Sequence, residues 1–253
     1  MFKYISVSFS LFFLLSISSS SFAATTLVAV AADFSKPMTE IAAKFEKATG
    51  HSANLTFGST GKFVSQIENG GSFEILLAAD EKGTKKLIQD GFALNGTQFV
   101  YAVGKLVLWS SIPGYVDDKG KILGSGDFRH IALADPKLAP YGAAALEVIN
   151  GLKLQDTIQP LIVESETITQ THQYVSNGNS ALGFVALSQV FENGKITSGS
   201  AWIVPANLYT PIRQGVVLLN NGAKNPAAKA LLAYLKSASA LEVIKKYGYD
   251  LAQ

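Results

Sequence analysis

Ala31-Ala32-Asp33-Phe34-Ser35-Lys36-Pro37-Met38, followed about one βα unit later by Phe57-Gly58-Ser59-Thr60-Gly61-Lys62, decides how this chain is read. Each stretch is a strand-to-helix junction. The first follows the apolar run Thr26-Leu27-Val28-Ala29-Val30, the second the run Ala53-Asn54-Leu55-Thr56-Phe57, and both open a helix with small or hydroxyl residues. Unpaired amides and the positive end of a helix dipole then face whatever sits before the helix, which favours an anion. Such a cradle contains no catalyst, so two of them side by side point to capture of a small oxyanion.

Working outward, the same alternation continues. An apolar helical period from Met38 to Ala48 stops at Thr49-Gly50, and another from Phe63 to Ile67 stops at Asn69-Gly70-Gly71. Strand-like Phe73–Ala78, a helix over Glu81–Gln89 and a strand over Phe99–Val103 complete a first unit. From Lys105 the pattern restarts, with strands at Leu106–Trp109, His130–Ala134, Leu161–Val163, Ala181–Ala186 and Trp202–Val204, and helices at Gly142–Gly151 and Thr167–Val175. The run Gln214–Leu219 and one final helix, Pro226–Tyr247, remain. If they return to the first unit the chain crosses twice and a ligand sits between the units. The pattern is α/β with mostly parallel sheet.

The amino terminus has the shape of a secretory signal: one cation, Lys3, an apolar core from Ile5 to about Ile17, and Ser21-Phe22-Ala23 as a small-x-small cleavage site. Cleavage is expected after Ala23. The apolar core is shorter than the roughly 20 residues a retained anchor needs. The 253 residues include no cysteine, which excludes a lipid-anchored cysteine, disulfides, thiolate metal sites and thiol nucleophiles. Removing Lys3 from the formal charge of +2 leaves a nearly balanced chain. That argues against a nucleic-acid partner or an anionic membrane surface. His51, His130 and His172 stand apart with no metal-ligand spacing, so no protein-coordinated metal is expected.

The individual motifs have plainer readings too. Gly58-Ser59-Thr60-Gly61-Lys62 has two residues between its glycines where a nucleotide P-loop has four, and Phe63 follows the lysine. Ser59 or Thr60 could simply cap a helix. Asp135-Pro136-Lys137-Leu138-Ala139-Pro140-Tyr141-Gly142 is a third junction, with Tyr141 either donating to an anion or packing at a rim. Glu166-Thr167-Ile168-Thr169 is a fourth, in which Ile168 offers only its amide. No nucleophile, base and orienter fall into a triad context, so no catalytic residue is assigned.

These four junctions, in this order, resemble the periplasmic molybdate-binding proteins of ABC importers. The resemblance spans the mature chain and includes Ala78-Ala79-Asp80-Glu81-Lys82, Tyr101 to Ser110, Leu182-Gly183-Phe184-Val185-Ala186 and the tail Lys245-Lys246-Tyr247-Gly248-Tyr249. It implies a two-lobed periplasmic binding protein fold of type II, with a signal peptide at 1–23, one lobe from 24–103 plus 213–253, the other from 104–212, and the ligand cleft between them. It further implies molybdate, and also tungstate, as ligand; no cofactor; a monomer that stays out of the membrane; and delivery to a permease and its ATPase. Carried over by position, the ligand-binding residues are Ala32, Asp33, Ser59, Thr60, Tyr141 and the amide of Ile168. A tyrosine some members place in the Gly183 strand is Ala186 here, so Tyr141 takes over its hydroxyl. The competing readings are a receptor for another oxyanion such as sulfate, a secreted α/β hydrolase and a surface adhesion protein.

One position departs. The family usually has Ser, Thr or Asn where this chain has Asp33. An ionised carboxylate about 4 Å from one unit of negative charge costs roughly 4 kcal/mol at an effective dielectric near 20. Three escapes follow: the side chain turns away to cap its helix, it is protonated, or the ligand differs. The first is the expectation, because Asp is a strong N-cap.

Overall fold

The structure, a computed structural model, describes residues 23–252; the proposed signal segment before Ala23 lies outside them. The chain begins β1 (Thr25–Ala31), α1 (Ser35–Thr49), β2 (Ser52–Gly58), α2 (Thr60–Glu68), β3 (Ile75–Leu77), α3 (Glu81–Gln89) and β4 (Phe99–Gly104). Then come β5 (Leu106–Ser110), the short α4 (Ile122–Ser125), β6 (Ile131–Ala134), α5 (Pro140–Gly151), the short α6 (Gln155–Ile158), β7 (Ile162–Ser165), α7 (Ile168–Ser176) and β8 (Leu182–Ala186). It closes with α8 (Leu187–Val190), the strands β9 (Phe191–Glu192), β10 (Lys195–Ile196), β11 (Ser200–Ile203) and β12 (Ile212–Leu218), and helices α9 (Pro226–Tyr234) and α10 (Ala238–Lys246).

Two five-stranded sheets result, ordered β2-β1-β3-β12-β4 and β11-β5-β8-β6-β7. Both are mixed. β1 pairs parallel with β2 and β3, and β6 parallel with β7 and β8, as βα units require. The antiparallel partners are the strands that cross between the sheets or return to them: β12 against β3 and β4, β5 against β8, and β11 against β5.

The period of two along β1 explains how each sheet is covered. Val28 and Val30 join Phe34, Met38, Ile41 and Phe45 in a core beneath α1, α9 and α10, while Ala29 faces Phe63, Ile67 and Leu87 under α2 and α3. In the second sheet Leu106, Leu108 and Leu133 bury against Ala145 and Val148 of α5, and Val107, Trp109 and Ala132 against Val175 of α7. Gly50 ends α1 in the left-handed conformation at φ 74°, with its amide bonded to the Glu46 carbonyl.

One helix expectation needs correction. Residues 226–247 do not form a single helix: α9 ends at Tyr234, and Ser237 opens α10 by accepting the Ala240 amide at 3.2 Å through its hydroxyl. A hydroxyl cap there outweighs continuation. Among the described residues no helix is long and apolar enough to cross a membrane.

Candidate functional site: a neutral cleft between two sheets

Five strand-to-helix junctions meet in one small cavity. It is lined by Ala31, Ala32 and Asp33 at the end of β1, Gly58, Ser59 and Thr60 where β2 gives way to α2, Ala79 after β3, Ala139, Pro140 and Tyr141 at the start of α5, and Ile168 at the start of α7. All six residues assigned from the sequence are among them. Its free space of about 10 Å³ is far below the roughly 300–1,000 Å³ of sites for organic ligands. No lysine, arginine or histidine lines it.

The cleft is closed. The Gly61 amide donates to the Leu138 carbonyl at 2.9 Å, the Thr169 hydroxyl to the Ala32 carbonyl at 3.3 Å, and the Ser188 hydroxyl to the Asp33 carbonyl at 2.8 Å. Lys62 and Glu166 form an ion pair across the mouth at 2.6 Å. Glycine at 61 eases the close approach, since a Cβ there would sit 3.1 Å from the Leu138 Cα, tighter than ordinary contact.

Ser59 lines the cavity and occupies the N-cap position of α2, yet it makes no side-chain cap bond. Its Oγ is buried with no hydrogen-bond partner among the described residues, as are the Thr26 and Ser180 hydroxyls. Thr60 accepts the Ala79 amide at 2.9 Å, which fixes the loop after β3 and leaves its own proton to give. At the start of α7, Thr167 caps the helix by accepting the Gln170 amide. The first-turn amides of α2 and α7, Thr60 and Ile168 included, have no carbonyl one turn earlier to accept them.

Asp33 does not behave as expected. It caps nothing: the residue before α1 is Phe34, and no side-chain cap is formed. The short 3-10 turn Ala32–Phe34 carries the Asp33 carboxylate inward instead. There its Oδ2 accepts from Gln214 Nε2, and from the Tyr249 hydroxyl at 2.9 Å. Gln214 also donates to the Tyr141 hydroxyl at 3.2 Å and accepts from Tyr101 at 2.6 Å. Burial pushes the Asp33 pKa up, against hydrogen bonds from Gln214, Tyr249 and Tyr141 that pull it down; upward wins. Burial, and then the neighbouring Asp33, hold the phenols of Tyr101, Tyr141 and Tyr249 well above their ordinary value.

Sequence reasoning missed this layer behind the pocket. Gln214 carried a usable signal: it is an amide side chain immediately before the apolar run Gly215–Leu218 of β12. Ala186, where a tyrosine might have stood, is buried, and its amide donates to Gln189.

The family model of the bacterial extracellular solute-binding proteins matches residues 26–250. The chain belongs to that family. It is 55% identical over 229 residues to the molybdate-binding protein ModA of Azotobacter vinelandii, covering 90% of this chain and 91% of that one. It is 49% identical to ModA of Rhodobacter capsulatus, covering 90% and 88%. The solved periplasmic molybdate-binding protein of Azotobacter vinelandii superposes with a TM-score of 0.87 at 42% identity, over 90% of this chain and all of that one. The two mixed sheets of this solute-binding protein match the fold of that solved molybdate-binding protein.

Proposed function

We propose that this solute-binding protein captures molybdate, and with it tungstate, in the cleft and hands it to an ABC permease, acting in the periplasm as a monomer without catalysis of its own. The observation that carries the reading is the partnerless Ser59 hydroxyl in a closed, cation-free cavity at the starts of two helices. Oriented neutral donors hold an oxyanion without the reorganisation that mobile counter-charges demand. The similarity to ModA proteins supports molybdate over other tetrahedral anions. Ala32, Asp33, Ser59, Thr60, Tyr141 and Ile168 supply the contacts.

The test is calorimetric titration of residues 24–253, freed of anions, with molybdate, tungstate and sulfate in turn. Submicromolar one-to-one binding of the first two with sulfate silent is expected, and silence with all three removes the ligand assignment. Ser59→Ala should weaken molybdate roughly 10- to 100-fold, the range for a hydrogen bond to a charged acceptor, without lowering the melting temperature of the empty protein. Unchanged affinity would return Ser59 to a structural role.

A further inference from the structure

We infer that Asp33 binds the anion as a neutral carboxyl held by Gln214 and Tyr249, so that each oxyanion captured brings one proton with it. The inference rests on the oxyanion reading above. Asp33 lines the cavity and is 2% exposed. A dianion held beside it in this buried cleft is screened less than in open water, and no lysine, arginine or histidine lines the cavity. The group that can yield is the carboxylate.

Every element packed around Asp33 offers neutral groups. β4 presents Tyr101, α5 Tyr141, β12 Gln214, α8 Ser188 and the tail Tyr249. Another carboxylate, the half-buried Asp80, is turned to the Gly83 amide at the start of α3. Of the surrounding lysines, Lys62 pairs with Glu166 and Lys105 with Asp250, while Lys36 reaches the Gln189 carbonyl at 2.9 Å and forms no ion pair with Asp33. On α7, His172 stacks on Trp109 at 4.8 Å. No counter-charge is thus available to keep Asp33 ionised beside a second negative group, and its burial already favours the neutral form.

Protonation also adds a donor: a neutral Asp33 carboxyl carries an O–H, and the Tyr141 hydroxyl, which accepts from Gln214 Nε2 at 3.2 Å, keeps its own proton to give. The balance is simple: one proton leaves solvent, adds to the Asp33 carboxylate, and no covalent bond of the anion changes. Gln214 and Tyr249 touch no anion; they are positioning residues, set 181 and 216 residues from Asp33 in sequence.

Linkage gives the sign. A group that gains a proton on binding makes affinity highest below its pKa in the free protein. Affinity then falls by up to about tenfold per pH unit until the pKa of the loaded protein is passed. Molybdate titrations from about pH 6 to about pH 9, across the range reached by raised carboxyl pKa values, should show this fall in the wild type. Asp33→Asn should bind with a pH-independent affinity at least as tight as the wild type at low pH. Tyr249→Phe, which removes a donor that favours the ionised form, should move the falling region to higher pH. Should Asp33→Asn not fold, the wild type still decides: in buffers of different ionisation enthalpy its apparent heat should report uptake of about one proton per anion within the falling region. No uptake at any pH, or a pH profile that Asp33→Asn retains, overturns the inference. Absence of molybdate binding in both proteins at every pH overturns the oxyanion reading itself, and the proton with it.

Discussion

Ile168→Pro is expected to weaken molybdate binding by roughly 10- to 100-fold while leaving α7 in place. Proline at the first position of a helix removes an amide that has no intrahelical acceptor and fits the local backbone. The residue before it, Thr167, already lies at φ −134° and ψ 153°, a conformation that proline tolerates on its amino side. The Thr167 cap on Gln170 does not involve the lost amide. What disappears is one charge-assisted donor to the anion, worth about 1.5–3 kcal/mol. Ile168 is also buried, so packing suffers as well. Ile168→Ala separates the two effects, because it loses side-chain volume and keeps the amide. Its melting temperature should fall, yet its affinity should stay within a few-fold of wild type. If both variants bind equally well, the amide is not a ligand; circular dichroism checks that α7 persists.

The largest expected loss of stability is at Gly142→Ala. A Cβ at this position would lie 2.0 Å from the Ala134 carbonyl oxygen, 2.8 Å from its carbon and 3.1 Å from the Asp135 carbonyl carbon. All three are backbone atoms at the end of β6, a strand pinned between β7 and β8. No side chain can swing aside, so α5 must lift off the sheet. Overpacking of this kind costs about 3 kcal/mol or more, which lowers the melting temperature of a chain this size by roughly 6–12 °C. The lift also carries Pro140 and Tyr141 out of the cavity, so binding should weaken with it. Gly151→Ala, in the last turn of the same helix and with no atom within 4 Å of its Cβ, should change neither property appreciably. Equal behaviour of the two alanine variants in a melting experiment would show that α5 does not depend on that close approach.

Much of this was legible in the sequence because it is local. The junctions after β1 and β2, the stop at Gly50 and the helix Glu81–Gln89 are each written in a few neighbouring residues, and all of them form. The break between α9 and α10 was not, because Leu235-Lys236-Ser237 contains neither glycine nor proline and Ser237 looks like any surface serine. The β9–β10 hairpin did carry a signal. Asn193-Gly194, at φ 51° and 86°, is the dipeptide of a tight hairpin turn, but its strands are only two residues long. The fate of Asp33 was beyond reach from the first loop alone. Helix capping is the local answer, and it lost to Gln214 and Tyr249, which only the fold brings near.

The place of β12 between β3 and β4 has a consequence for how the chain is made. A polypeptide emerging amino terminus first holds β4 complete at residue 104, yet its only neighbour in the sheet is β12, whose first residue is 212. Throughout that interval the earliest-made sheet stays open along one edge, and such distant pairings are slow to form. The second sheet lies wholly within residues 106–203 and can assemble first. The half of the molecule that is synthesised first is therefore the half that finishes last, and the cavity between the sheets waits with it until the carboxyl-terminal residues arrive.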